Sequence, residues 1–305
     1  MSAIFRLAVV RTDAGDEVMV ERSGKLLPLS DVVGADALDT IAGPPEDLAP
    51  LLSNWRAWDS WLAEAAPDLG PKFDETGLDA GGQQFRPPLS APGKILCIGA
   101  NYHDHIAEMS IPMTPSYPYS FLKPANNTLR GSGDSVSVPR IAKMIDWEAE
   151  LAVIIGAECR DVPARDALSM VAGYANFNDL SARDWLENRP AIGVDWIQHK
   201  AFDGFAPMGP YLMPARFVPN PQDLPVRLSV NGAVKQASNT GQMVFGVAAI
   251  IEHLSAIMTL YPGDVIATGT PAGVGHGRNP PEFLKPGDEV RMEIAGLGEL
   301  VTGIV

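Results

Sequence analysis

Two glutamates one residue apart, Glu148 and Glu150, open an apolar, β-branched run from Leu151 to Ile155 that stops at Gly156. Such a run reads as a buried strand. Residues two apart on a strand point the same way, so both carboxylates share one face while Trp147, Ala149, Leu151 and Val153 take the other. Side by side at the start of a buried strand, the two carboxylates repel each other and lose hydration. A divalent cation with oxygen ligands offsets both costs. The ordinary alternative is that Glu-x-Glu forms the wet side of an edge strand, and the tripeptide alone favours that reading.

Further polar residues must converge before a metal becomes the better reading, and three segments offer them. Asp179 follows the apolar segment Ala172-Gly173-Tyr174-Ala175-Asn176-Phe177; a strand end is a rigid support for a site residue, although the same aspartate could simply cap a turn. With Glu148 and Glu150 it makes an oxygen-only set of three carboxylates, suited to Mg²⁺ or Mn²⁺ rather than Zn²⁺. In Asn101-Tyr102-His103-Asp104-His105-Ile106-Ala107-Glu108 a helix would put His105 and Glu108 on one face. A carboxylate that orients an imidazole supports a general base; an ordinary surface pair fits the spacing equally well. A transition-metal set of His103, His105 and Glu108 is weaker, because adjacent-but-one helical positions diverge by about 200°. Lys200, between apolar flanks, could stabilise an enolate or carboxylate, or simply be solvated. The glycine-rich Thr268-Gly269-Thr270-Pro271-Ala272-Gly273 fails both nucleotide-binding patterns and reads as a sharp turn whose amides and Thr270 hydroxyl could face an anion. Nothing matches the Gly-x-Ser-x-Gly elbow of serine hydrolases.

The elements holding these residues belong to a 305-residue chain that is 46% hydrophobic and 20% charged, with a formal net charge of −14. A surface so acidic repels phosphate backbones and anionic lipid, so nucleic acid and membranes are excluded as partners. A small anionic substrate would then need a local cation. Cys97 and Cys159 make no disulfide framework, and Cys97 reads as an inert buried thiol. Arg6 interrupts what would be the apolar part of a signal peptide, no apolar run is long enough to span a membrane, and the expected location is a reducing cytoplasm.

Residues 3–34 alternate around Asp13-Ala14-Gly15-Asp16 and Ser23-Gly24, the pattern of short antiparallel strands. Leucines and tryptophans at helical spacing predict one amphipathic helix over 47–66, its tryptophans in the core. Residues 67–92 have linker composition, which divides the chain into a small N-terminal α+β domain, 1–85, and a larger domain, 93–305. In the latter, strands are expected at 94–98, 148–155, 172–178, 226–231, 264–268 and 288–294, and helices near 103–109, 163–171 and 243–258. Pro262-Gly263-Asp264 and Pro286-Gly287-Asp288 each read as a tight turn opening a strand. The class is α+β, mostly β, without regular βαβ alternation.

From about Gly93 to Val305 the chain resembles the fumarylacetoacetate hydrolase family. The resemblance rests on motifs in order: Gly99-Ala100-Asn101-Tyr102 with His105 and Glu108, Phe121-Leu122-Lys123-Pro124, Asp146-Trp147-Glu148-Ala149-Glu150-Leu151, Asn178-Asp179 with Ser181-Ala182-Arg183, Lys200-Ala201-Phe202-Asp203-Gly204, Asn231-Gly232, and Pro262-Gly263-Asp264 with Thr268-Gly269-Thr270-Pro271. It implies a mixed β-sandwich roll, usually dimeric, that binds Mg²⁺ or Mn²⁺ and acts on small 2-keto or 2,4-diketo acids. By position, Glu148, Glu150 and Asp179 resemble the metal ligands, and His105 with Glu108 the water-activating pair on a segment that orders as a lid. Lys200 resembles the residue that stabilises developing charge, while Tyr102, Arg183, Gly269 and Thr270 resemble substrate contacts. The expected activity is metal-dependent hydrolysis of a carbon–carbon bond in a 2,4-diketo acid, giving a 2-keto acid such as pyruvate plus a carboxylic acid. Oxaloacetate-type decarboxylation, keto–enol isomerisation and a non-catalytic metal-stabilised binding protein are the alternatives. Leu186 departs from the family, which often has glutamine there, and the loop 273–281 resembles that of members acting on diketo sugar acids.

Overall fold

A computed structural model describes residues 4–41, 43, 45–65, 69–109 and 113–305; of Glu187 only the backbone is described. The sequence expectations at residues 3 and 66–68 fall outside these. The fold is mixed α+β and dominated by strands.

A 12-stranded sheet forms the backbone of the molecule. From one edge its main path runs Leu78–Asp79, Lys25–Pro28, Gly15–Arg22, Arg6–Thr12, Ala206–Pro214, Val171–Asn178, Ala149–Ile155, Val265–Ala267, Ile95–Gly99 and Tyr119–Lys123. Most neighbours are antiparallel, but Val265–Ala267 and Ile95–Gly99 run parallel. A separate five-stranded sheet is ordered Ala233–Asn239, Pro225–Val230, Glu289–Ile294, Glu299–Ile304 and Ser135–Val136.

Both faces of the long sheet are covered, which explains why Ala149–Ile155 and Val171–Asn178 are buried along their whole length instead of alternating. On one side Trp147, Leu151 and Val153 pack with Leu228, Met292 and Leu300 of the smaller sheet and with the helix Val247–Ile257. On the other, Ala152 and Ile154 pack with Trp58, Leu62 and Phe73 from the N-terminal part. The period-two reading therefore holds: Glu148 and Glu150 share the parity of Ala152 and Ile154, opposite Trp147.

The expected strands and helices of the larger part are present within a residue or two, with two exceptions: the helix expected over 243–258 begins only at Val247 and runs to Ile257, and 163–171 divides into a helical turn, Ala164–Ala167, and a 3₁₀ turn, Leu168–Met170. Both Pro-Gly-Asp turns put glycine in the left-handed region, with φ of 89° at Gly263 and 94° at Gly287, just before a strand.

Three features differ from expectation. The single helix over 47–66 is two helices, Ala49–Leu52 and Trp55–Ala65, broken where Ser53 Oγ donates to Pro50 O at 2.6 Å. The stretch of linker composition carries the helix Gly70–Thr76 and the strands Leu78–Asp79 and Gln84–Arg86. These strands pair with Lys25–Pro28 and Arg6–Thr12, so tertiary pairing overrides the Gly, Pro and Asp content. The third is the unexpected nine-residue strand Ala206–Pro214, wholly buried although it contains three prolines. It pairs with Val171–Asn178 through a register shift between Tyr174 and Asn176, and an irregular ladder accommodates residues lacking an N–H.

Candidate metal centre and active-site pocket

Strand register assembles the acidic group. Ala149 lies opposite Asn178 in an antiparallel ladder, so the next pair outward is Glu148 and Asp179, tied by Asp179 N–H donating to Glu148 O at 2.9 Å. On the other flank Ala152 faces Ala267, which brings Gly269 level with Glu150, and the Gly269 N–H donates to Glu150 Oε2 at 2.8 Å. Gly269 sits at φ 96°, and a Cβ there would lie 2.8 Å from that of Asn101, so only glycine fits this close approach. Asn101 fixes the same corner, its Nδ2 donating to Thr268 O at 2.8 Å and to Phe245 O at 3.0 Å.

One oxygen each of Glu148, Glu150 and Asp179 lies within 4.8 Å of the others, and all three residues are buried. Their surroundings are strongly charged. Glu148 accepts from Arg183 Nη2 and Lys200 Nζ, both at 2.6 Å, and Lys200 also reaches Asp179 Oδ2 at 2.6 Å. Lys123, fully buried, pairs with the other oxygen of Asp179 and donates to Leu180 O at 3.0 Å. Arg183 Nε donates to Asp146 Oδ2 at 2.8 Å, and Asp146 also accepts the Gly275 N–H at 2.6 Å.

Burial alone pushes the Glu148 carboxyl up, but Lys200 and Arg183 outweigh it and hold that carboxyl well below its ordinary range. Lys200 is the matching case: burial works against its charge, yet Asp179 and Glu148 raise it. Glu150 goes the other way. Burial, then the charges of Asp179 and Glu148, push it well above the ordinary carboxylate range. Among the described residues it makes no ion pair. Four carboxylates thus face three cations, and the excess negative charge rests on Glu150. A hard divalent cation fits both the donor chemistry and that imbalance.

His105 lies on the short helix His103–Glu108, its Nδ1 2.7 Å from Glu108 Oε1. A carboxylate only accepts, so the proton sits on Nδ1 and the basic lone pair is at Nε2. Glu108 is held in turn by the Gly273 N–H, donating to Oε2 at 2.8 Å. Gly273 has φ 100°, and a Cβ there would lie 2.1 Å from Lys235 O.

A cavity of about 160 Å³ is lined by His105, Glu148, Glu150, Asp179, Arg183, Lys200 and Thr270, so most of the expected site residues meet in one place. Thr270 Oγ1 accepts from Gln236 Nε2 at 2.8 Å, which leaves its own O–H to donate. Two expected substrate contacts stand behind the wall: Tyr102 is wholly buried in the core, and Gly269 acts through Glu150. His103 is exposed and outside the acidic group.

Sequence reasoning assigned no role to three residues here. Lys123 gives its signal only as a lysine on the buried face of a strand, beside Phe121 in alternation. Asp146 is known as a site residue only through Arg183. His199 lines the cavity with Nδ1 2.9 Å from Ala182 O, and burial, with Lys200 and Arg183, drives its pKa down to about 3. It is neutral, with Nδ1 donating to the carbonyl.

A β-rich scaffold carrying a buried group of three carboxylates beside an oriented histidine defines the class, an enzyme with a candidate site for a divalent cation. The chain belongs to the fumarylacetoacetate hydrolase family: the family model described as Fumarylacetoacetate (FAA) hydrolase C-terminal matches residues 94–305. Human mitochondrial oxaloacetate tautomerase FAHD2B is 45% identical over 221 residues, covering 72% of this chain and 69% of the relative. The fumarylacetoacetate hydrolase of Exiguobacterium antarcticum superposes with a TM-score of 0.80 at 29% identity, over 98% of this chain and 99% of that one. Maleylpyruvate hydrolase from Sphingobium gives 0.75 at 30% identity, over 98% and 99%.

Proposed function

We propose that this chain is a divalent-metal-dependent enzyme that interconverts the keto and enol forms of a small anionic 2-keto acid. One observation carries the reading: the buried Glu148–Glu150–Asp179 group shares a cavity with a histidine whose Nε2 is set up as a base by Glu108. The oxaloacetate tautomerase relative, at 45% identity, supports this outcome among those open to the family. Mg²⁺ or Mn²⁺, when bound by the three carboxylates, supplies Lewis acidity to the acid's carboxylate and keto oxygens. His105 Nε2 takes the proton from C3, and Glu108 stabilises the imidazolium that results. Lys200, held protonated by Asp179 and Glu148, meets the negative charge that develops on the keto oxygen. Thr270 and the unused Nη1 of Arg183 orient the acid.

A second reading is hydrolysis of the carbon–carbon bond of a 2,4-diketo acid, either an acylpyruvate or a diketo-deoxy sugar acid. Here His105 takes its proton from water instead of C3. The same His105–Glu108 geometry favours it, since decarboxylation of oxaloacetate requires no such base. The working unit in either case is taken to be a homodimer, which sedimentation tests directly.

Purified protein with Mg²⁺ or Mn²⁺ is to be assayed on enol oxaloacetate, acylpyruvates and diketo sugar acids. Faster ketonisation of the enol, lost by roughly 10²–10⁴-fold in His105→Ala, is the expected result. Pyruvate release from acylpyruvates alone would transfer the assignment to the hydrolase. Activity that survives chelation would count against both.

A further inference from the structure

The helix Trp196–Lys200 contributes two buried polar side chains to the cavity wall, and the proposed reaction uses one of them, Lys200. The other is His199, 2% exposed. Asp195 caps the helix, its Oδ1 accepting from the Ile197 and Gln198 N–H groups at 3.1 and 3.2 Å, and so fixes where both side chains start. The His199 ring meets Trp196 in a T-shaped contact, centroids 5.7 Å apart at 62°, and Trp196 stacks in turn on Phe121 at 4.2 Å and 8°. With Nδ1 also tied to Ala182 O at 2.9 Å, the ring has one fixed orientation.

A carbonyl only accepts, so Nδ1 carries the proton of this neutral ring and Nε2 presents a lone pair. Burial, Lys200 and Arg183 all oppose a second proton. Among the described residues none donates a hydrogen bond to Nε2. Lys200 Nζ turns to Glu148 and Asp179, and Arg183 turns Nε to Asp146 and Nη2 to Glu148. A buried acceptor left without a donor costs free energy unless the ligand brings one. The keto form of a 2-keto acid brings none at its reacting end, which presents two carboxylate oxygens and a carbonyl. The enol form of the same acid adds one O–H, at C2. The group that would satisfy His199 is therefore the group by which the two tautomers differ. His199 and Lys200 enter the cavity from one helical turn, so an acceptor and a donor are offered to the same oxygen.

We infer that His199 Nε2 accepts a hydrogen bond from the C2 hydroxyl of the enol, so that the site holds the enol more tightly than the keto form and His199 sets that preference. This rests on the function proposed above and names the tautomer that the site favours. A site with a buried polar group discriminates against the ligand that lacks the matching hydroxyl.

The test is calorimetric titration of the Mn²⁺-loaded protein with each enantiomer of lactate and with oxalate. Lactate reproduces the carboxylate and the C2 hydroxyl of the enol, whereas oxalate presents acceptors alone. In His199→Asn the amide can still donate to Ala182 O, but the Nε2 lone pair is gone. The substitution is expected to weaken the better-bound enantiomer of lactate about tenfold and to leave oxalate and Mn²⁺ affinity unchanged. Lactate binding unmoved by His199→Asn, or lactate and oxalate weakened alike, would overturn the inference. If that variant does not fold, the unaltered protein decides. Lactate should then bind about tenfold or more tighter than 2-methoxypropanoate, which keeps the oxygen without its proton, and equal binding would overturn the inference. The proposed function fails separately, if the lactate contact is found but enol oxaloacetate is not ketonised.

Discussion

Glu150 differs from its two acidic neighbours in having no cation of its own, and the difference has a pH signature. Burial and then the charges of Asp179 and Glu148 raise its pKa, so in the metal-free protein its ionisation is relieved by unfolding. The associated stability is present in full below the ordinary carboxylate range and is lost as pH rises through the raised value. Metal-free wild-type protein should therefore lose melting temperature relative to Glu150→Gln as pH rises above the ordinary carboxylate range, and added Mn²⁺ should cancel the difference. His199 has the opposite sign. With its pKa lowered from 6.5 to about 3, stability is full above the ordinary value and is lost as pH falls toward 3. Denaturant titrations should show the wild type losing a few kcal/mol more than His199→Asn across that acid interval. Glu148, Glu150 and Asp179 were legible in the chain because strand period and chain order are local signals. Lys123, Asp146 and His199 were not, because each owes its role to a partner at least 17 residues away.

The helix His103–Glu108 is too short to be stable alone and is held by tethers. Asp104 Oδ2 accepts from Ser238 Oγ at 2.5 Å, its Oδ1 accepts from Ala272 N–H at 3.3 Å, and Glu108 accepts from Gly273 N–H at 2.8 Å. These fix His105 over the acidic group without touching it. Ser238→Ala removes one tether, worth about 1 kcal/mol. It should lower kcat several-fold and leave Mn²⁺ affinity unchanged; a parallel loss of Mn²⁺ affinity would contradict a purely positioning role. The sequence disclosed this helix but not its tethers, since Ser238 and Asp104 are 134 residues apart. Strand Ala206–Pro214 was missed for another reason. Its three prolines argue against a central strand, and only the register shift in its partner makes room for them.

Across the molecule, the N-terminal strands extend the sheet that carries the site: Arg6–Thr12 pairs with Ala206–Pro214. Trp58 and Leu62 cover the face on which Ala152 and Ile154 lie. Composition had marked a boundary near 85–93, yet hydrogen bonds and core both cross it. Residues 93–305 made alone would expose one edge and one face of the sheet and should aggregate. Trp58→Ala, which opens a cavity in a wholly buried position, should cost about 3–5 kcal/mol in a single unfolding transition monitored by circular dichroism. Two separate transitions would instead show that the halves fold independently.

The centre itself is best tested by titrating metal-free protein with Mn²⁺ and following the free ion by electron paramagnetic resonance. One ion bound per chain, with Glu148→Gln and Asp179→Asn each weakening it by about 100-fold or more, is the predicted result. Binding unaffected by both substitutions, or no binding by the unaltered protein, would contradict it.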